Sequence, residues 1–232
     1  MATNTLPRPL VLLGAGGHAR VLLALARAAG RQLLGVCDPQ LQAEGRAQWE
    51  GITVLGGDEA LNRYRPDEVE LLLGVGQLAR SGARAKLYAA WRSQGYAFPP
   101  LVHPAAWVAP DVTLSDGVQV MAGAVVQPGC TLGSNTIINT RASIDHDCRI
   151  GNDVHVAPGA VLCGGIAVGA GVFIGAGAVI IQGLNLGQGA IVGAGVTLLR
   201  DLSPGATVVG AANRYRTAAG ADQKELIRER QE

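Results

Sequence analysis

The densest chemistry in the chain is the run IDHDC, Ile144–Cys148, where His146 stands between Asp145 and Asp147 with Cys148 directly behind. An imidazole titrates near neutrality, and an adjacent carboxylate can fix its tautomer and raise its basicity. The cluster therefore reads as a general base with an orienting acid, a triad without its serine. The same residue types could also hold a metal or form a solvated corner. Counting weighs against metal. The chain has 4 histidines (His18, His103, His146 and His155), with neither a repeated HxxxH nor a CxxC pair among its 4 cysteines. A zinc site needs three or four such ligands at regular spacing, so none is expected.

A second candidate lies near the N-terminus, in LVLLGAGGHARVLL. Gly14, Gly16 and Ala19 form a G-x-G-x-x-A turn between an apolar run and an Ala- and Leu-rich segment, and Asp38 follows 19 residues after Ala19. In that context the backbone N–H groups and the helix N-terminus face a phosphate. The plainer alternative is a tight strand-to-helix turn. A complete dinucleotide fold needs two mononucleotide halves. Only about 90 residues precede a complete change of texture, so one nucleotide or a nucleotide-sugar fits better than NAD. Gly74-Val75-Gly76-Gln77, after another apolar run, offers further backbone contacts.

These residues need elements to hold them. Over residues 9–98 strand-like and helix-like segments alternate. Strands are expected at Leu10–Leu13, Gln32–Val36 (stopped by Cys37-Asp38-Pro39), Val54-Leu55 and Val69–Val75, and helices at His18–Ala29, Asp58–Tyr64 and Leu78–Gly95. That alternation predicts a small parallel sheet covered by helices.

From about residue 102 the period becomes six. Every sixth residue from Val108 to Leu198 is Val, Ile or Leu, sixteen in succession. Chance agreement is on the order of one in ten million, so the repeat is real and predicts a parallel β-helix of short strands and turns. Three hexads make one coil, which stacks Cys130 on Cys148 as small inward packers. His146 falls in a turn and projects outward at a corner.

Outward positions divide into three faces. The first carries Trp107, Val125, Ser143, Val161, Val179 and Thr197. The second carries Thr113, Thr131, Arg149, Ala167 and Asn185, and the third Gln119, Ile137, His155, Phe173 and Ile191. The polar residues of the second face suit solvent, whereas the first and third faces are too apolar to stay wet. Two covered faces predict a cyclic homo-oligomer, and Phe173→Asp is expected to break it.

Totals exclude other classes. With 19 basic against 18 acidic residues and a net charge of +1, no nucleic-acid footprint is expected. Apolar runs are short and broken, so neither a signal peptide nor a membrane span is expected. Sparse, unpaired cysteines predict a cytoplasmic setting.

A GAGGHA loop, a short half-Rossmann α/β domain, and hexads carrying INT and DHDCRIG together resemble the nucleotide-4-amino-sugar N-acetyltransferases of bacillosamine and perosamine biosynthesis. These sit in the sialic acid O-acetyltransferase family, on the hexapeptide acyltransferase fold. The resemblance spans about Leu10 to Arg214. It implies an α/β nucleotide-sugar domain over residues 1–100, a left-handed β-helix over 101–214 that trimerises, and a charged tail over 215–232. It also implies acetyl-CoA as co-substrate and a nucleotide-sugar as partner, with the acetyl group passing to an amine without a covalent enzyme intermediate. His146 would be the general base. Asp147, acidic in the family, or else Asp145, would assist it.

By the same resemblance Asn139 contacts substrate, and His155, Ala176 and Ala194 face acetyl-CoA. Gly16, Gly17, His18, Cys37, Asp38 and Gly76 lie on the nucleotide-sugar side. Cys37 departs from an acidic residue seen in some members, and Ala212 stands where proline is usual near the C-terminal end. The rival readings are an O-acetyltransferase acting on a sialic acid or other glycan hydroxyl, and a non-catalytic nucleotide-sugar-binding scaffold.

Overall fold

The computed structural model describes residues 7–211. The expected tail over 215–232 and the departure at Ala212 lie outside the described residues. The chain builds an α/β unit and then a β-helix.

In the α/β unit the apolar runs form β1 (Leu10–Leu13), β2 (Leu33–Cys37), β4 (Ile52–Gly56) and β5 (Glu70–Leu73), with a two-residue β3 (Gln48–Trp49). The sheet order is β3-β4-β2-β1-β5. All pairs are parallel except β3–β4, so the sheet is mixed rather than wholly parallel. Helices α1 (Gly17–Ala28), α2 (Pro39–Ala43) and α3 (Ala83–Ser93) complete it with a 3-10 helix at Asp58–Arg63, where the sequence predicts a helix over Asp58–Tyr64.

Two local expectations need correction. Asp38-Pro39 stops β2 but also starts α2, with Asp38 Oδ1 accepting from Leu41 N at 2.9 Å as an N-cap and Pro39 at the first turn. The third helix begins at Ala83, not near Leu78. Arg80 at φ 63° and the Gly82 cap break the segment that precedes it.

β1 lies between β2 and β5, so the chain reverses its winding direction at the β1–β5 seam. Leu13 pairs with Leu73, and Gly74 N donates to Leu13 O at 2.7 Å. The Gly14 and Gly74 loops therefore leave the sheet side by side at the point where open α/β sheets bind ligands. A Cβ on Gly74 would lie 2.8 Å from Ala19 Cβ, Leu13 O and Gly14 O, so the approach requires glycine.

In the second unit each aliphatic repeat residue is the second of a two-residue strand, and the strands sort into three parallel sheets. Partners are one full coil of three hexads apart, as in Ile137↔His155 and Ser143↔Val161. Val, Ile and Leu point inward with small residues between them, and Cys130 and Cys148 lie in that core. Near the end the offset shortens: Ile191 pairs with Thr207.

The face assignment holds in register, but the third face is covered from within the chain. Met121, Ile137 and Leu101 share one core cluster with Leu22, Leu23 and Leu72 of the α/β unit. Its apolar character is thus satisfied in part by intrachain packing and does not by itself call for a partner. Phe173 belongs to this side as well. Its ring meets His155 edge-on at 5.1 Å and lines a groove with the loop before α3. Phe173→Asp would therefore disturb His155 first. The first face remains open, with Trp107 49% and Val161 38% exposed. Among the described residues no helix is long and apolar enough to cross a membrane.

Ile137 is fully buried at the seam between the units. Ile137→Ala is expected to cost about 2–5 kcal/mol, read as a lower melting temperature. The outward Thr131→Ala on the second face should change little.

Candidate active site

His146 sits on the turn between the first and second faces. Its Nδ1 lies 2.8 Å from Asp147 Oδ2. A carboxylate only accepts, so Nδ1 carries the hydrogen and Nε2 is left bare in the neutral ring. The Asp147 bond, and then the charge of Asp145, raise the His146 pKa above the ordinary histidine value. Asp145 acts on the backbone instead. Its Oδ1 accepts from His146 N at 2.8 Å, capping the turn. Of the two aspartates it is Asp147 that touches the ring. Asp147 holds φ 59°, in a turn position where this corner carries glycine in neighbouring coils, at Gly129 and Gly165. A left-handed conformation is tolerated by aspartate and disfavoured for most side chains.

The coils above and below are shaped around this pair. A Cβ on Gly164 would fall 2.5 Å from His146 Nε2, and one on Gly129 would strike Asp147 Oδ1. Neither glycine was singled out from sequence, although each lies one coil away from the group it accommodates. Cys163 occupies in its coil the place of Asp145 and offers no carboxylate cap. Gly164 N consequently has no hydrogen-bond partner among the described residues. Cys148 donates its thiol to Cys163 O at 3.2 Å, and burial pushes its pKa to about 11. It is an inert inward packer rather than a nucleophile.

A cleft of about 730 Å³ gathers the other candidates. Gly16, Gly17, His18, Asp38, Gly76, Asn139 and His155 all line it. Asp38 Oδ2 accepts from Ala15 N at 2.9 Å and so ties the glycine loop to the end of β2. Gly16 caps α1 without a side-chain bond, leaving first-turn N–H groups toward the cleft. Burial, and then the Arg84 charge, lower the His18 pKa to about 4, so the ring is neutral.

Cys37 does not join them. It is fully buried among Val11, Leu13 and Leu61, and burial pushes its thiol up to about 12. Its side chain points away from the cleft because alternate residues of β2 face opposite sides of the sheet. Only its backbone contributes, as Cys37 O accepts from Gly14 N at 2.8 Å.

His155 is fully engaged within the chain. Its Nδ1 meets Gln77 O at 3.1 Å and its Nε2 meets Asn139 Nδ2 at 3.2 Å. The carbonyl requires Nδ1–H, so Nε2 accepts from the asparagine, whose Oδ1 accepts from Thr140 N at 2.8 Å. Burial lowers the His155 pKa and favours this neutral form. His155 thus orients Asn139 and braces the loop at Gln77. Ala176 and Ala194 lie elsewhere on the same corner, in the column that Thr140 and Pro158 begin beside the cleft, and both are exposed.

His146 does not line this cleft. The cleft opens at the corner between the third and first faces, and His146 lies at the other edge of the first face. Among the described residues no group of three or more His, Cys, Asp or Glu side chains converges as a metal site.

Two family descriptions match the chain: the PglD N-terminal domain over residues 9–88, and the bacterial transferase hexapeptide (six repeats) over 131–164 and 147–182. No curated protein sequence matches it. Among solved structures, the acetyltransferase domain of PglB from Neisseria gonorrhoeae FA1090 in complex with acetyl coenzyme A is 35% identical, with a TM-score of 0.81 over 88% of this chain and 97% of that one. A histidine-to-alanine mutant of GDP-perosamine N-acetyl transferase from Caulobacter crescentus, in complex with CoA and GDP-perosamine, is 36% identical, with a TM-score of 0.80 over 87% and 93%. WeeI from Acinetobacter baumannii AYE is 25% identical, with a TM-score of 0.72 over 88% and 97%. By this identity over nearly its whole length, the chain belongs to the PglD-type N-acetyltransferases of nucleotide amino sugars, built on hexapeptide repeats.

Proposed function

We propose that the protein transfers the acetyl group of acetyl-CoA to the amine of a nucleotide-linked 4-amino-4-deoxy sugar, in the assembly of a surface glycan in the cytoplasm. The observation that carries this is the His146–Asp147 pair, with its bare Nε2 above Gly164 at an exposed corner. The relatives' bound CoA and GDP-perosamine support the ligand classes.

His146 Nε2 takes a proton from the sugar amine as the nitrogen attacks the thioester carbonyl. Asp147 holds the Nδ1–H and stabilises the imidazolium that forms. Charge developing on the carbonyl oxygen needs a donor, and the unpartnered Gly164 N–H beside the ring is the one we assign. As the tetrahedral adduct collapses the C–S bond breaks, and the imidazolium returns its proton to the departing thiolate. No side chain of the protein is acylated.

We assign the nucleotide to the unit over 1–100. The first-turn N–H groups of α1 and the glycines at Gly16, Gly17 and Gly76 would meet its phosphates, with His18, Asp38 and Asn139 around the sugar. The unit over 101–214 takes the coenzyme. The small exposed residues Ala176 and Ala194 leave a shallow track along the corner, and His155 acts there through Asn139. The base and the cleft are separated within one chain by the first face, which is also the apolar face left open. A homotrimer packed on that face reconciles the two facts. In light scattering the wild type should measure as a trimer, and Val161→Asp should shift it toward monomer while keeping its circular dichroism. A monomeric wild type would end this part of the proposal.

His146→Ala should lower turnover roughly 10²–10⁴-fold with little change in melting temperature. Gly164→Ala should act in the same direction by crowding the ring. The check is thiol release from acetyl-CoA with UDP-, GDP- and dTDP-linked 4-amino sugars beside their 4-hydroxy counterparts. A fully active alanine variant removes the base, and faster turnover of the hydroxy forms makes the enzyme an O-acetyltransferase.

The pH profile separates the aspartates. The carboxylates favour the charged ring, so His146 becomes a base only above its raised pKa, and kcat/KM should fall as pH drops through that value. Asp147→Asn should move this acid limb to lower pH and reduce the plateau. Asp145→Asn should move it less, and equal shifts would count against Asp147 as the partner.

A further inference from the structure

The hydrogen-bond chain between the two units fixes the tautomer of a cleft residue. Gln119 lies on the third face and is 2% exposed. Its Nε2 donates to Leu73 O at 3.1 Å. A backbone carbonyl can only accept, which settles which end of the amide is nitrogen. Gln119 Oε1 is therefore the atom 2.8 Å from His18 Nε2. That oxygen also can only accept, so His18 Nε2 must carry the hydrogen.

The anchor of this chain is itself held. Arg84, 1% exposed, donates through Nη1 to Leu73 O at 3.0 Å and to Val75 O at 2.6 Å. The carbonyl that orients Gln119 cannot swing aside without breaking a buried guanidinium's bonds. At the other end the neutral His18 ring has a bare Nδ1, with no partner among the described residues, and His18 lines the glycine-loop cleft.

We propose that Gln119 is a positioning residue that locks His18 in the Nε2–H tautomer, so that His18 offers the cleft a hydrogen-bond acceptor and reads a hydroxyl or N–H of the bound nucleotide-sugar. This rests on the substrate class proposed above. An acceptor at this point is a specificity element. Phosphate oxygens, being acceptors, are repelled by it and left to the N–H groups of α1. A ligand lacking the donor would strand a desolvated lone pair, which is where polar discrimination arises. Because Gln119 belongs to the β-helix and His18 to the α/β unit, the ligand preference of one unit is set by a side chain of the other.

The experiment is 15N NMR of the full chain labelled in histidine, with the His18 signals identified by their loss in His18→Phe. The wild type should show a neutral ring protonated on Nε2. Gln119→Leu should release it into both tautomers. Gln119→Glu keeps the shape but sets a carboxylate against the ring, and should draw a proton onto it, turning Nδ1 into a donor. In the acetyl-transfer assay, run with the most active amino sugar of the UDP, GDP and dTDP panel, both variants should raise the nucleotide-sugar KM roughly 10-fold, the loss of one hydrogen bond of about 1.4 kcal/mol. The acetyl-CoA KM should stay within about 2-fold, since a general loss of fold would move both constants. A wild-type His18 found as the Nδ1–H tautomer or as imidazolium overturns the proposal. So does an unchanged nucleotide-sugar KM in variants whose spectra have changed. If the wild type acetylates none of the amino sugars, the substrate class fails instead, and the spectra still decide what Gln119 does to His18.

Discussion

Parallel pairing at a fixed offset of one coil is the constraint on which the rest of this molecule depends. Each two-residue strand is too short to stand alone. Only stacking on its neighbours buries the Val, Ile and Leu that point inward and satisfies the backbone groups between them. The stack turns sequence distance into spatial adjacency. Gly129 lies against Asp147 and Gly164 against His146 because three hexads separate the members of each pair. A chemically active turn therefore cannot be changed without regard to the turns above and below it. The exposed imidazole is held by one carboxylate and by the absence of a Cβ in the next coil.

The second constraint is the seam between the units. It is apolar at Met121 and Ile137 and polar at Gln119, Arg84 and His155. The apolar part supplies burial. The polar part directs most of its donors and acceptors to the loop from Leu73 to Gln77, which forms one wall of the cleft. Beyond the end of β5 at Leu73 it lies outside regular secondary structure, yet carbonyls at Leu73, Val75 and Gln77 each accept from a side chain of α3 or the β-helix. Rigid elements thus position a loop that carries function, as binding loops generally require.

Much of this was legible in the sequence because it follows from local periodicity. The sixteen aliphatic residues marked the strands and the coils, and side-chain alternation along each strand sorted inward from outward positions. Counting hexads from them put His146 in an outward turn. The glycine turn and the strands around it followed from composition and spacing, and Gly74-Val75-Gly76-Gln77 stood out as a second backbone contact. That the Gly14 and Gly74 loops leave the sheet side by side came from the strand pairing. Turn chemistry was harder. Asp38-Pro39 reads as a stop and is also a helix start, and Leu78–Gly82 reads as helix but contains the residues that prevent one. The first is decided by one side-chain cap bond from Asp38, the second by the left-handed backbone at Arg80 and a Gly82 cap that carries no side-chain bond.

Register was settled in the chain's own pattern: which residues are inside, which stack, and which corner holds the histidine between two aspartates. It was settled there because a repeat imposes the same backbone geometry on every copy. What touches what, across the copies and across the units, came only from folding in three dimensions. Asp147 rather than Asp145 reaches the imidazole because the turn places one carboxylate beside the ring and the other beside a backbone N–H. Cys37 is sealed in the core because β2 is covered on that side. The third face needs no partner where the chain's own α/β unit lies on it. Each of these depends on contacts whose geometry is set by packing and carries no mark in the local pattern.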